Sequence, residues 1–207
     1  RPLNQINDKN VKQLQGAWTW SLPDGANMMA PVVRDGVMFA YSFGDIVEAL
    51  DARTGDLLWS YQYKIADASI YSSKKGIAIY EDKILVPTSD SHLLALDAKT
   101  GKLLWDHAID VHGETSFWMK SAPIIAKGKA IIGTNGQVDV EGGNFIVAID
   151  LNTGKEAWRF YAIARPGEPN GSSWNGLPLE KRTGGSMWNP GTYDPELNLV
   201  YFGPAPT

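Results

Sequence analysis

The stretch Gly184-Gly185-Ser186-Met187-Trp188 brings together residue types able to grip a flat ligand. Paired glycines, lacking Cβ atoms, permit close backbone approach to a bound molecule. An indole offers a large apolar face for stacking on a planar cofactor. The stretch closes a polar segment, 162–188, that includes Pro166-Gly167-Glu168-Pro169 and Asn170-Gly171-Ser172-Ser173. Long loops on rigid scaffolds carry function disproportionately often. Other chemistries are poorly provided for. The chain has no cysteine, which removes disulfides, thiolate metal sites and thiol nucleophiles. His92, His107 and His112 lack metal-ligand spacing and read as surface or packing residues. No Gly-x-Gly-x-x-Gly or phosphate-loop pattern occurs, which argues against nucleotide chemistry.

The elements that must hold this stretch repeat. The pattern Ala-x-Asp-x-x-Thr-Gly-x-x-x-Trp occurs three times, ending at Trp59, Trp105 and Trp158. An apolar, β-branched run leads into each copy. Asp and Thr side chains can bond turn amides, and Gly accepts positive φ, so each copy predicts a strand–turn–strand hairpin. The recurring Trp is expected to anchor each sheet to its neighbour. A second hairpin precedes each first one, at Pro31–Phe39, Ile77–Val86 and Pro123–Ile132, with a fourth copy at Thr192–Phe202. Two hairpins per repeat make a four-stranded antiparallel sheet, and a period of 40–50 residues is that of a β-propeller blade. The expectation is therefore an all-β propeller domain over 1–207. Its blades lie near 29–63, 75–110 and 121–161, with a partial blade at 192–207 and an inserted loop at 162–188.

At the ends, Asn10–Leu14 reads as one helical turn, and Ala17-Trp18-Thr19-Trp20-Ser21 as the outer strand of a further blade. Two arrangements satisfy three full blades plus parts of two others. The chain is a fragment of a longer propeller, or it is a four-bladed ring closed by Ala17–Ser21 beside Thr192–Phe202. The N-terminal residues resemble neither a signal nor a transit peptide. No apolar run approaches the roughly 18–20 residues of a membrane span. The net charge of −4, with basic residues scattered as pairs such as Lys74-Lys75, is no nucleic-acid footprint.

The chain resembles the N-terminal part of the pyrroloquinoline quinone (PQQ)-dependent alcohol dehydrogenases, periplasmic eight-bladed propellers. The resemblance is carried by Ser89–Asp97, Trp158–Tyr161, Gly184–Trp188 and Tyr193–Leu197. It implies PQQ and a calcium or lanthanide ion as cofactors, an alcohol substrate, and an electron acceptor such as a cytochrome c. By position it implies that Trp188 stacks beneath the quinone and that Ser186 contacts its edge. Gly136 and Gln137 fall in a cofactor-binding stretch, where Asp139 is the metal-ligand candidate and Glu141 the substitute if the register slips. Lys75 stands where the family has an arginine, and Lys120 where it has a threonine. Met28 replaces a glutamate, and Ser69-Ile70 occupies the place of paired cysteines. The segment expected to supply a metal-binding asparagine is Gly203-Pro204-Ala205-Pro206-Thr207, which has none. The catalytic aspartate would lie beyond Thr207. A second function class remains open on the same repeats: a non-catalytic scaffold, as in the propeller subunit of outer-membrane assembly machinery.

Overall fold

The computed structural model describes residues 4–109, 117–136 and 142–205. One four-stranded sheet contains β1 (Val32–Arg34), β2 (Val37–Ser42), β3 (Ile46–Asp51) and β4 (Leu57–Gln62). The next contains β5 (Ala78–Tyr80), β6 (Lys83–Pro87), β7 (His92–Asp97) and β8 (Leu103–Ala108). A two-residue strand β9 (Phe117–Trp118) precedes β10 (Ile124–Ala126), β11 (Lys129–Gly133), β12 (Asn135–Gly136), β13 (Phe145–Asp150) and β14 (Glu156–Tyr161). The chain then passes through two short 3-10 turns to β15 (Thr192–Asp194) and β16 (Leu199–Tyr201). The sheet orders are β1-β2-β3-β4, β5-β6-β7-β8 and β10-β11-β13-β14, with small pairs β12-β9 and β15-β16. All ladders are antiparallel.

Strand composition follows from stacking sheet on sheet. Middle strands are covered on both faces and so read as unbroken apolar runs, as in Ile84-Leu85-Val86 and Leu93-Leu94-Ala95-Leu96, all fully buried. One core cluster joins the first two sheets through Phe39, Val47, Ile84 and Leu94, and another joins the second and third through Leu85, Leu93, Ile132 and Val147. The hairpin turns use left-handed residues, Asp35 and Gly36 at φ 51° and 79° and Lys127 and Gly128 at 44° and 72°. Positive φ at both central positions matches the twist of the flanking strands.

The repeated pattern builds one device three times. Asp51, Asp97 and Asp150 each accept two amide hydrogen bonds from the turn that follows. Ala49, Ala95 and Ala148 lie opposite Trp59, Trp105 and Trp158, each beside a one-residue register shift. The Trp59 indole N–H donates to the Ala98 carbonyl of the next sheet at 3.1 Å, and that of Trp105 to Leu151 at 3.4 Å. The receiving turn must have glycine. A Cβ on Gly101 would lie 2.6 Å from the Trp59 ring and one on Gly154 2.9 Å from that of Trp105, and both glycines have positive φ.

The N-terminal expectation needs correcting. Residues 17–21 form no strand. They instead lie against the first sheet, where Trp18 donates to the Ala52 carbonyl at 3.2 Å and Trp20 to Glu48 Oε2 at 2.9 Å. Trp18 thus repeats the docking of Trp59 and Trp105, with Gly55 beneath its ring. Among the described residues it makes no ladder with Thr192–Phe202, where β15 and β16 form a two-stranded sheet of their own. The 3-10 turn at Val11–Gln13 agrees with the single helical turn expected there.

Candidate functional site

The candidate residues lie in the segments that lead into the first strand of successive sheets: Met28 ahead of β1, Lys75 ahead of β5, Lys120 ahead of β10 and Trp188 ahead of β15. A repeat architecture brings equivalent positions side by side, and a backbone bond fixes two of these segments together, Lys75 N–H to Lys120 O at 2.8 Å. The Lys75 ammonium sits 4.1 Å from the centre of the Trp188 ring and donates to Asn189 Oδ1 at 2.7 Å. Lys120 Nζ lies 4.4 Å from the Trp118 ring centre. Burial holds the Lys120 pKa below the ordinary lysine range, and the neighbouring Lys75 charge lowers it further. Trp188 is 46% exposed, so much of its indole is uncovered. The structure therefore gathers Trp188, Lys75 and Lys120.

The segment that delivers Trp188 is locked to the third sheet. Met187 is buried in a core cluster with Ala126, Ile131 and Ile146, and its amide donates to Thr134 O at 2.9 Å. Gly133 has no Cβ because one would lie 2.5 Å from Met187 Cβ. Ser186 is buried and pairs by backbone with Ala205, with N···O distances of 3.2 and 2.8 Å. Its Oγ accepts from Asn135 Nδ2, which leaves the hydroxyl proton to donate elsewhere. The paired glycines are both engaged by the protein itself. The Gly184 carbonyl accepts from Asn144 N and Nδ2, and a Cβ on Gly185 would meet Ala162 Cβ at 2.5 Å. They let the segment pack closely on its own protein. Gly136 is likewise committed, its amide donating to Asn144 Oδ1. Gln137, Asp139 and Glu141 lie outside the described residues, as does His112.

Sequence reasoning missed Lys74, which is buried and donates to the Met119 carbonyl at 3.1 Å. Asp45, whose charge acts on Lys74, accepts from the Tyr41 hydroxyl at 2.7 Å and from Ser89 N and Oγ at 2.7 and 3.0 Å, tying the first sheet to the second. Burial pulls the Lys74 pKa down to about 8, against the upward pull of Asp45 and Asp90, and Lys120 lowers it a little more. The signal in the sequence was only an adjacent basic pair. Asn135, Asn144 and Asn189 were missed too, because their roles depend on contacts distant in the chain.

A cleft of about 640 Å³ lies elsewhere, between β14 and the 162–188 segment, lined by Arg159, Tyr161, Ala164, Glu168 and Trp174. It includes none of the gathered residues. No group of three His, Asp or Glu able to hold a metal occurs among the described residues.

Residues 1–206 match the PQQ family of glucose/ethanol/alcohol dehydrogenase beta-propeller domains. The chain belongs to that family. Its quinohemoprotein alcohol dehydrogenase relative ADH-IIG of Pseudomonas putida is 36% identical over 220 residues, covering 98% of this chain and 30% of the relative. A europium-containing methanol dehydrogenase structure superposes with a TM-score of 0.87 at 28% identity, covering 99% of this chain and 40% of the other. The chain thus spans about a third of the length of the quinoproteins it matches. BamB from Moraxella catarrhalis, at 21% identity and a TM-score of 0.54, shares the fold alone. The propeller class expected from the Trp repeats is the class of this PQQ domain family, and among the described residues no helix is long and apolar enough to cross a membrane.

Proposed function

We propose that this chain forms the part of a PQQ-dependent alcohol dehydrogenase that supports one face and one edge of the quinone. The observation that carries this reading is the half-exposed Trp188 indole flanked by the Lys75 ammonium. A fused-ring quinone bearing carboxylates matches that pairing of flat apolar face and cation. PQQ, when bound, supplies the oxidising power, accepting the equivalent of a hydride from an alcohol. The chain's own residues bind and orient. Trp188 stacks beneath the ring system, Lys75 and Lys120 meet its carboxylates, and the Ser186 hydroxyl donates at its periphery. By the resemblance, Gly136 and Gln137 belong to the stretch at its edge, and Met187, anchored in the core, sets the height of the indole. A wall held in place in this way fixes the cofactor with little reorganisation on binding.

The calcium or lanthanide ion is not placed on the described residues. The described residues offer no carboxylate cluster, Asp139 stands outside them, and the Gly203–Ala205 segment lacks an amide side chain. No step is assigned to a metal on these residues. The alcohol, the cytochrome c acceptor, the periplasmic location and the further segments completing the propeller follow from the resemblance and are part of the proposal. The scaffold reading draws support from the fold shared with BamB and from that missing asparagine. Titrating the complete protein with PQQ while following Trp fluorescence separates the two. Saturable quenching that Trp188→Ala abolishes is the expected result, and no binding with or without calcium or lanthanum favours the scaffold.

A further inference from the structure

We infer that Lys74 is a positioning residue: its buried ammonium latches the segment leading into the third sheet and so sets where Lys120 stands toward a ligand. The inference rests on Lys120 facing the cofactor and adds a residue that acts through it. Lys74 is 3% exposed, and its Nζ donates at 3.1 Å to the carbonyl of Met119, the residue just before Lys120. Its own backbone is fixed. It forms a parallel bridge with Asn27, in the segment leading into the first sheet, and two residues earlier the Ser72 amide donates to Ser89 Oγ at 3.1 Å. Met119 is fully buried in the core cluster between the second and third sheets. Lys74 thus ties together the segments leading into all three four-stranded sheets, whereas the bond from Lys75 N–H to Lys120 O joins two.

A cation is a costly donor for one carbonyl, because burial penalises charge. None of the ion pairs among the described residues includes Lys74. The charged groups acting on it are Asp45 and Asp90, which attract it, and Lys120, which repels it. Asp45 already accepts from Tyr41 and Ser89, and Asp90 from Thr88. The Met119 carbonyl is therefore the close partner of the ammonium. A charged donor bonds a carbonyl about twice as strongly as a neutral one. Burial brings the Lys74 pKa down to about 8, so the latch is tight below that pH and slackens above it.

The test uses the complete protein. With isotope-labelled methionine methyl groups, the Met119 signal of wild type, identified by its loss in Met119→Leu, should move with pH in one step centred near 8. Lys74→Met should abolish the step. PQQ affinity is followed at neutral pH by Trp quenching and calorimetry. Lys74→Met should weaken it about three- to tenfold, the worth of one hydrogen bond. In the Lys120→Met background the same substitution should cost less than about twofold, because the two residues act as one. An equal loss in both backgrounds would mean that the Lys74 charge acts on the ligand directly, and it overturns the latch. Unchanged PQQ binding by Lys74→Met, or a Met119 signal indifferent to pH, also overturns it, and each leaves the cofactor reading standing. Wild type that binds no PQQ removes that reading and this inference with it.

Discussion

Glycine and tryptophan do opposite work in two parts of this molecule. At the repeated turns they mate with each other: Trp59 enters the space left by the missing Cβ of Gly101 and bonds the carbonyl at Ala98. In the 184–188 segment they are separated. Gly185 gives its space to Ala162, the core takes Met187, and Trp188 is left 46% exposed beside a cation. The first arrangement consumes the indole to join sheets. The second uses the neighbouring residues to hold an indole open. Burial of an aromatic stabilises a fold, whereas an open one held in place is preorganised for a partner.

Substitutions can break this contrast. Trp105→Ala should lower the unfolding free energy of the complete protein by about 3 kcal/mol, since a large aromatic leaves a cavity between sheets. Trp188→Ala should change it by less than about 1 kcal/mol while abolishing ligand quenching. Equal losses of stability in urea melts would make Trp188 an ordinary packing residue. Next in size, Gly101→Ala should cost about 2 kcal/mol or more, combining a left-handed backbone with a clash against Trp59. Retained stability there would show that the indole docking is loose.

The ionisable groups sharpen the contrast further. Lys74 has a folded pKa near 8, below its unfolded value, so the folded state sheds its proton first as pH rises. Stability should therefore increase from pH 8 toward the unfolded lysine pKa of about 10.4. In Lys74→Met that rise should be smaller by roughly 1–2 kcal/mol, measured as the difference between urea melts at pH 7.5 and 9.5. The smallest effect belongs to the exposed turn carboxylates. Backbone amides hold Asp51 and Asp150 below the ordinary carboxylate range, and the Thr100 hydroxyl and amide do the same for Asp97. Their contribution is present above about pH 4 and fades as pH falls through the lower folded values. Acid titration of Asp97→Ala should show a slightly shallower loss of stability than wild type.

Much of the architecture was legible because it rests on local rules. The Asp and Gly of each turn announce a hairpin by their backbone chemistry, and unbroken runs such as Leu93-Leu94-Ala95-Leu96 announce burial on both faces. The strand expected at Ala17–Ser21 failed because an alternating pattern cannot supply a ladder partner. Its Trp18 nevertheless docks as the repeat implies, since the Gly55 turn is there to receive it. The paired glycines show the same limit of local reading. Their freedom of backbone was correctly read, but what fills the space beside them was not.

Sequence alone determined the repeat, the turns, the register marked by Ala opposite Trp, and the membership of Trp188 among the candidates, because each depends on residues a few positions apart. Only the tertiary structure decided that Lys75 and Lys120 adjoin, that Lys74 is buried, and that Asn144 ties Gly184 to Gly136. Most of those contacts join segments far apart in the chain. Stacking sheets side by side sets which lead-in residues meet, and no local preference encodes that distance.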